Sequence, residues 1–106
     1  MKPTPETLTK LNALAERITA DSKTRLLAEG MIYEIHAANY TGHVHIGQKF
    51  ARVDVGGSGK YMVDLATGEI FGIKAYGVQH KGYRFGTLDT IEQFFWGEYR
   101  AMRIAA

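Results

Sequence analysis

The sequence has no cysteine, only 2 prolines among 106 residues, and almost no excess of one charge. Without cysteine there are no disulfides, thiolate metal sites or cysteine nucleophiles. With 13 basic and 11 acidic residues the net charge is +2, too little for a general nucleic-acid binder held by phosphate contacts. No apolar run reaches the roughly 18 residues that a membrane helix requires. The amino terminus, Met1 to Pro5, leads into a polar stretch without the apolar core of a signal peptide, so a soluble, unexported chain is expected. What is present is ordinary: 45% hydrophobic and 23% charged residues, too apolar for wholesale disorder. The length suits a single domain over 1–106 with one core.

Two regions differ in character. Residues 1–29 hold neither glycine nor aromatics; all 12 glycines and every aromatic residue lie from Gly30 onward. Thr4 and Pro5 make a good helix start. Leu8, Leu11, Ala15 and Ile18 recur at the spacing of one buried stripe. The expectation is a helical scaffold over about 5–28, straight or broken near Asp21-Ser22, with a stop at Gly30. From Met31 the period changes to two: Ile32, Glu34 and His36 alternate with Tyr33, Ile35 and Ala37, as in a strand. Gly42–Gly47 reads equally as a short strand or a loop. KFARVDV, KYMVDL and IFGIKAY, separated by GGSG and ATGE turns, read as an antiparallel three-stranded meander. Alternation assigns Ala51, Val53, Val55, Tyr61, Val63, Leu65, Phe71, Ile73 and Ala75 to a core face. Arg52, Asp54, Lys60, Met62, Asp64, Ile70, Gly72, Lys74 and Tyr76 then fall on a solvated face. Gly77–Gly86 reads as a loop, followed by a short helix capped by Thr87 or Thr90 with Ile91, Phe94 and Phe95 on its apolar side. The fold class is α+β: an N-terminal helix on an antiparallel β-meander, with a short C-terminal helix.

Most catalytic templates fail. Gly56-Gly57-Ser58-Gly59-Lys60 resembles the core of a phosphate loop, but Asp54 stands where the first glycine belongs, Tyr61 follows the lysine, and a strand follows rather than a helix. The same turn fails as a serine-hydrolase elbow, because Lys60 takes the place of its last glycine. A turn of backbone amides beside a lysine still suits an anion. His43 and His45 point the same way on a strand, with His36 as a third candidate, but no carboxylate partner is evident; they read as an incidental pair rather than a zinc site. The one acid–base candidate, His80 with Asp54 or Asp89, has no motif behind it. The most distinctive stretch is Phe71–Leu88. It has no acidic residue yet carries Lys74, His80, Lys81 and Arg84, interleaved with Tyr76, Tyr83 and Phe85 and with four glycines. Cations recognise phosphate or carboxylate, rings stack on a base, and glycines allow close approach. The alternative is a solvated basic loop whose aromatics belong to the core.

The motifs DVGGSGKYMV (54–63), TGEIFGIKAYG (67–77), HKG (80–82) and GTLDTI (86–91), extended by WGEY (96–99), resemble a family of small proteins of bacteriophage and other viral genomes. They lie within the run Asp54–Tyr99, a little under half of the chain, and leave out the amino-terminal helix. Where that family often has a second histidine after HKG, this chain has Tyr83 and Arg84. The resemblance brings no activity with it. It implies viral origin, a host-cytoplasmic setting, and the glycine-rich meander and basic loop as the functional part. With every catalytic template unmet, the expected function is non-enzymatic: binding or sequestering an anionic, nucleotide-like ligand to counter host defence. The expected ligand residues are Gly57, Ser58, Lys60, Lys74, Tyr76, His80, Lys81 and Arg84, with no cofactor or metal. The alternatives are an inhibitor of a host defence protein, through a surface that includes Phe94, Phe95 and Trp96, and a small nucleic-acid-binding protein. The consecutive aromatics also suggest a homodimer or higher homo-oligomer.

Overall fold

Thr4 and Pro5 open the first helix as the sequence suggests. The Thr4 side chain accepts a hydrogen bond from the Thr7 amide at 3.1 Å, and Pro5 occupies the first helical position, where its missing N–H costs nothing. The structure, a computed structural model, describes residues 4–30, 40–56, 58–75, 78–97 and 101–104. The strand expected around Ile32 to Ala37, including His36, lies outside them. Helix α1 (Pro5–Ala28) runs unbroken through Asp21-Ser22. Its buried stripe is Leu11, Leu14, Ala15, Ile18, Ser22 and Leu26, while Leu8 stands off it at 38% exposure. Leu11, Leu14 and Ile18 are wholly buried, each contributing about 1.5–3 kcal/mol of hydrophobic stabilisation.

The stripe packs on one face of a five-stranded antiparallel sheet: β1 (Gly42–Ile46), β2 (Phe50–Val55), β3 (Ser58–Asp64), β4 (Glu69–Ala75) and β5 (Val78–Thr87), in sequential order. Gly42–Ile46 is thus a strand. The segment expected as a basic loop over Gly77–Gly86 is corrected: its described part from Val78 onward is β5. Its pairing with β4 is interrupted by register shifts, which absorb the glycines without ending the strand. Val55 pairs with Ser58, so the β2–β3 connection is only Gly56-Gly57, and Ser58 and Gly59 are ladder residues rather than an open cradle. Between β3 and β4, the Asp64 carboxylate accepts hydrogen bonds from the Ala66 and Thr67 amides at 2.8 and 3.3 Å. Gly68 closes this turn at φ 78°, a value that favours glycine.

That turn overturns part of the face assignment. Val63 pairs with Ile70 and Tyr61 with Gly72, so Ile70 and Gly72 share the core face, whereas Phe71 pairs with Met62 on the opposite side. The four connecting residues, 65–68, shift odd positions of β3 opposite even positions of β4. Ile70, Phe71 and Ile73 are all apolar, so alternation alone could not choose between the two parities. Gly72 makes room for an aromatic layer: a Cβ there would lie 3.1 Å from the Tyr83 Cβ and 3.7 Å from the Phe85 ring. Tyr61 meets Phe85 edge-on at 5.3 Å and Trp96 at 5.2 Å, between ring centroids.

The expected C-terminal helix is also corrected. Only a 3-10 turn, Ile91–Gln93, forms before β6 (Phe94–Phe95), which pairs with β7 (Met102–Arg103). The Thr90 hydroxyl makes no helix cap; it accepts from the Thr87 amide at 3.0 Å and so serves the preceding turn. Phe94 is extended, at φ −126° and ψ 150°. Phe94 and Trp96 are buried and Phe95 half-buried, which is the period of a strand and not of a helix. Helix α1 anchors this segment. Asp21 accepts from the Trp96 amide at 2.9 Å, and Arg25 Nε donates to the Gly97 carbonyl at 2.6 Å. The Trp96 indole N–H is satisfied by the Ile91 carbonyl at 2.9 Å.

Candidate functional site

The face of the sheet turned away from α1 carries a row of side chains in register across all five strands: His45, Arg52, Met62, Phe71 and Arg84. Antiparallel pairing places directly opposed residues on one face, so the row follows from the ladder itself. Its two guanidinium-bearing positions, Arg52 and Arg84, are three strand spacings or about 14 Å apart. Between them Met62 and Phe71 are only 7% and 5% exposed, as dry as the core. The Arg84 guanidinium rests 5.7 Å from the centre of the Phe71 ring, a cation–π contact that orients it.

At the other end stands a charge cluster. Asp54 lies two residues beyond Arg52 on the same face of β2, with its side chain 10% exposed. Arg52 grips it with two hydrogen bonds, Nε to Oδ1 at 2.7 Å and Nη2 to Oδ2 at 3.2 Å. His45 Nε2 approaches Oδ2 at 3.1 Å. A carboxylate this dry is tolerable because its charge is matched and its oxygens are hydrogen-bonded. Gly59 leaves space for the grouping: a Cβ there would meet Ile73 Cδ1 at 3.1 Å and Arg52 Cδ at 3.3 Å. The arrangement holds the Arg52 guanidinium in a fixed place beside an apolar strip.

Of the residues expected to bind a ligand, Arg84 is exposed and belongs to the row, and Lys60 is half-buried at the β2–β3 bulge. Gly57 and Tyr76 lie outside the described residues. Ser58, Lys74, His80 and Lys81 hold backbone positions in β3, β4 and β5, and their side chains lie outside the described ones. Both carboxylates considered as partners for His80 are engaged elsewhere. Asp54 is held by Arg52, and Asp89 binds Lys10 Nζ at 2.7 Å. Hydrogen bonds to Asp89 and Glu6 hold the Lys10 ammonium above its usual pKa. Of the aromatic surface expected at Phe94, Phe95 and Trp96, only Phe95 reaches solvent in part; Phe94 is 7% exposed and Trp96 wholly buried.

Sequence reasoning considered His45 only as half of an incidental pair with His43 and placed Arg52 only on the solvated face. Their alternation was visible, but only the β1–β2 register brings His45 beside Arg52 and close to Asp54. Among the described residues, no three His, Asp or Glu side chains converge as metal ligands would. None of the described helices is long and apolar enough to cross a membrane. Comparison with family models, with curated proteins and with solved structures finds no match to the chain.

Proposed function

We propose that the chain is a non-enzymatic binding protein for an anionic, nucleotide-like ligand, taken up on the outer sheet face. The reading is carried by the cross-strand row, in which Arg52 and Arg84 flank a dry strip of Met62 and Phe71. Each guanidinium has a support that fixes its direction, Asp54 for Arg52 and the Phe71 ring for Arg84. Oriented guanidinium groups are the usual means of gripping phosphate. Lys60 at the neighbouring bulge adds a third cation to the same part of the molecule. In the viral setting that the sequence resemblance implies, the chain withdraws a host signalling nucleotide from a defence pathway. Burial of Phe94 and Trp96 removes the main reason for preferring a protein-blocking surface there.

The test is calorimetric titration with mono-, di- and cyclic nucleotides, with the ligand recovered afterwards. Binding that weakens about tenfold or more in Arg84→Ala, the scale of a charge-assisted hydrogen bond, with unchanged ligand, is the expected outcome. Absence of binding across the panel overturns the reading, and a chemically altered ligand turns it into an enzyme.

A further inference from the structure

One end of the outer row carries a charge that can change. Oδ2 of Asp54 is shared: it accepts from Arg52 Nη2 at 3.2 Å and meets His45 Nε2 at 3.1 Å. At that distance Nε2 carries a hydrogen, since a bare ring nitrogen would repel a carboxylate oxygen. Nδ1 is then the nitrogen that takes up or releases the second proton. The His45 side chain is 54% exposed, so water reaches the ring. Arg52 and Asp54 cancel each other's charge. With His45 neutral the cluster therefore has no net charge, and with His45 protonated it has one net positive charge. Histidine is the side chain that changes charge between pH 5 and 8, a range in which lysine and arginine stay cationic.

Among the described residues, the ionisable groups around His45 come from three strands. On β1, His43 lies two positions away on the same face, opposite Asp54. On β2, Arg52 is directly opposite His45 and Asp54 is diagonal to it, while Lys49, just before the strand, lies 5.6 Å from the Phe50 ring centre. On β3, Lys60 stands at the bulge with β2. Helix α1 packs on the other face of the sheet. We propose that anion binding on the outer face is proton-linked through His45. The protonated imidazole draws Oδ2 of Asp54 and loosens it from Arg52 Nη2. The shorter Nε–Oδ1 bond, at 2.7 Å, keeps the guanidinium in place, and its Nη2 edge turns to the ligand. The inference rests on the anion-binding reading above and adds its regulation. Its sign is fixed by charge: affinity for an anion rises as pH falls through the histidine range. By reciprocity the ligand favours protonated His45, so binding near neutral pH takes up a proton.

Calorimetric titration with cyclic mono- and dinucleotides tests this, because their phosphodiesters keep a constant charge from about pH 5.5 to about pH 8. Wild-type affinity is expected to rise about tenfold from the upper to the lower pH, within the usual range of coupling between two sites. His45→Gln, fixed neutral, is expected to lose that dependence and to bind about tenfold more weakly than the wild type at the lower pH. His45→Lys, fixed as a cation, is expected to lose it as well and to bind about tenfold more tightly than the wild type at the upper pH. Position 45 is exposed, so neither change disturbs the core. Titration near neutral pH in two buffers of different ionisation enthalpy should show proton uptake by the wild type and none by His45→Gln. Binding that does not vary with pH overturns the proposal and leaves the anion-binding reading standing. So does a pH dependence that survives in His45→Gln, including one that disappears in His43→Gln instead. No binding of either cyclic ligand at the lower pH also overturns it, and the anion-binding reading falls with it only if the linear nucleotides fail too.

Discussion

The two faces of the sheet bury their side chains by different means. Toward α1, the residues between the layers are aliphatic and aromatic: Leu11, Leu14 and Ile18 against Val53, Val63 and Ile70, closed at one end by Tyr61, Phe85, Phe94 and Trp96. Hydrogen bonds there serve the margins, as where Asp21 and Arg25 tie down Trp96 and Gly97. On the far side, Met62 and Phe71 are as dry as the core, yet they sit in line with Arg52 and Arg84 and close to the Asp54 cluster. One face excludes charge; the other holds charge in place beside apolar surface. A stability core needs only the first arrangement. On the proposed reading, fixed cations beside an apolar strip are what recognition of an anion needs, which is why the outer face is the one to test for a ligand.

Removing a large group from each face breaks this comparison most directly. Trp96→Ala empties the aromatic corner of the inner face and also removes the bond to the Ile91 carbonyl. It is expected to cost about 3–5 kcal/mol, the range for large aromatic-to-alanine changes in a core. Urea denaturation should show that loss little affected by salt, because no charge is removed. On the outer face Asp54→Ala leaves Arg52 without its carboxylate in a half-buried setting, at an expected cost of about 2–3 kcal/mol. Its distinguishing mark is functional: nucleotide affinity should fall with Asp54→Ala, because Arg52 loses its two bonds to the carboxylate, and stay unchanged in Leu65→Ala, a core change on the other face. Equal effects on affinity from the two variants would erase the difference between the faces.

Much of the fold was legible in the sequence. The helix could be read because Thr4, Pro5, Leu11, Ala15, Ile18 and Gly30 give start, stripe and stop in one continuous pattern. Three strands could be read because GGSG and ATGE punctuate short, largely alternating runs. The faces of β4 could not, since Ile70, Phe71 and Ile73 are all apolar and the deciding quantity is the number of residues in a turn. The C-terminal helix failed for a related reason. Phe94-Phe95-Trp96 offers an apolar residue to whichever period is chosen, and only the tie from Asp21, 75 residues earlier, selects the extended form. For the site, Arg84 was legible from its acid-free surroundings. His45 and Arg52 were not, because their conjunction is a matter of strand register, which no local pattern encodes.

The smallest expected effect probes the boundary between the faces from within the core. Tyr61 is wholly buried, and its hydroxyl has no well-formed hydrogen bond; the nearby Ala101 backbone only weakly favours the ionised form. Burial dominates and pushes the phenol above its ordinary value near 10. Above about pH 10 the unfolded chain therefore loses this proton while the folded chain keeps it. With fewer protons bound in the unfolded state, stability falls as pH rises, so the contribution is intact below pH 10 and drains away above it. Tyr61→Phe keeps the ring contacts with Phe85 and Trp96 and removes only the unsatisfied oxygen. At pH 7 it is expected to be neutral or stabilising by up to about 1 kcal/mol, since a buried polar group without a partner is costly. Between pH 9 and pH 11 the variant should lose less stability than the wild type. Urea titrations at pH 7, 9 and 11 measure both effects. An unchanged alkaline decline in Tyr61→Phe would mean that the hydroxyl reaches water, and that the inner face is less dry than the aromatic packing around Tyr61 requires.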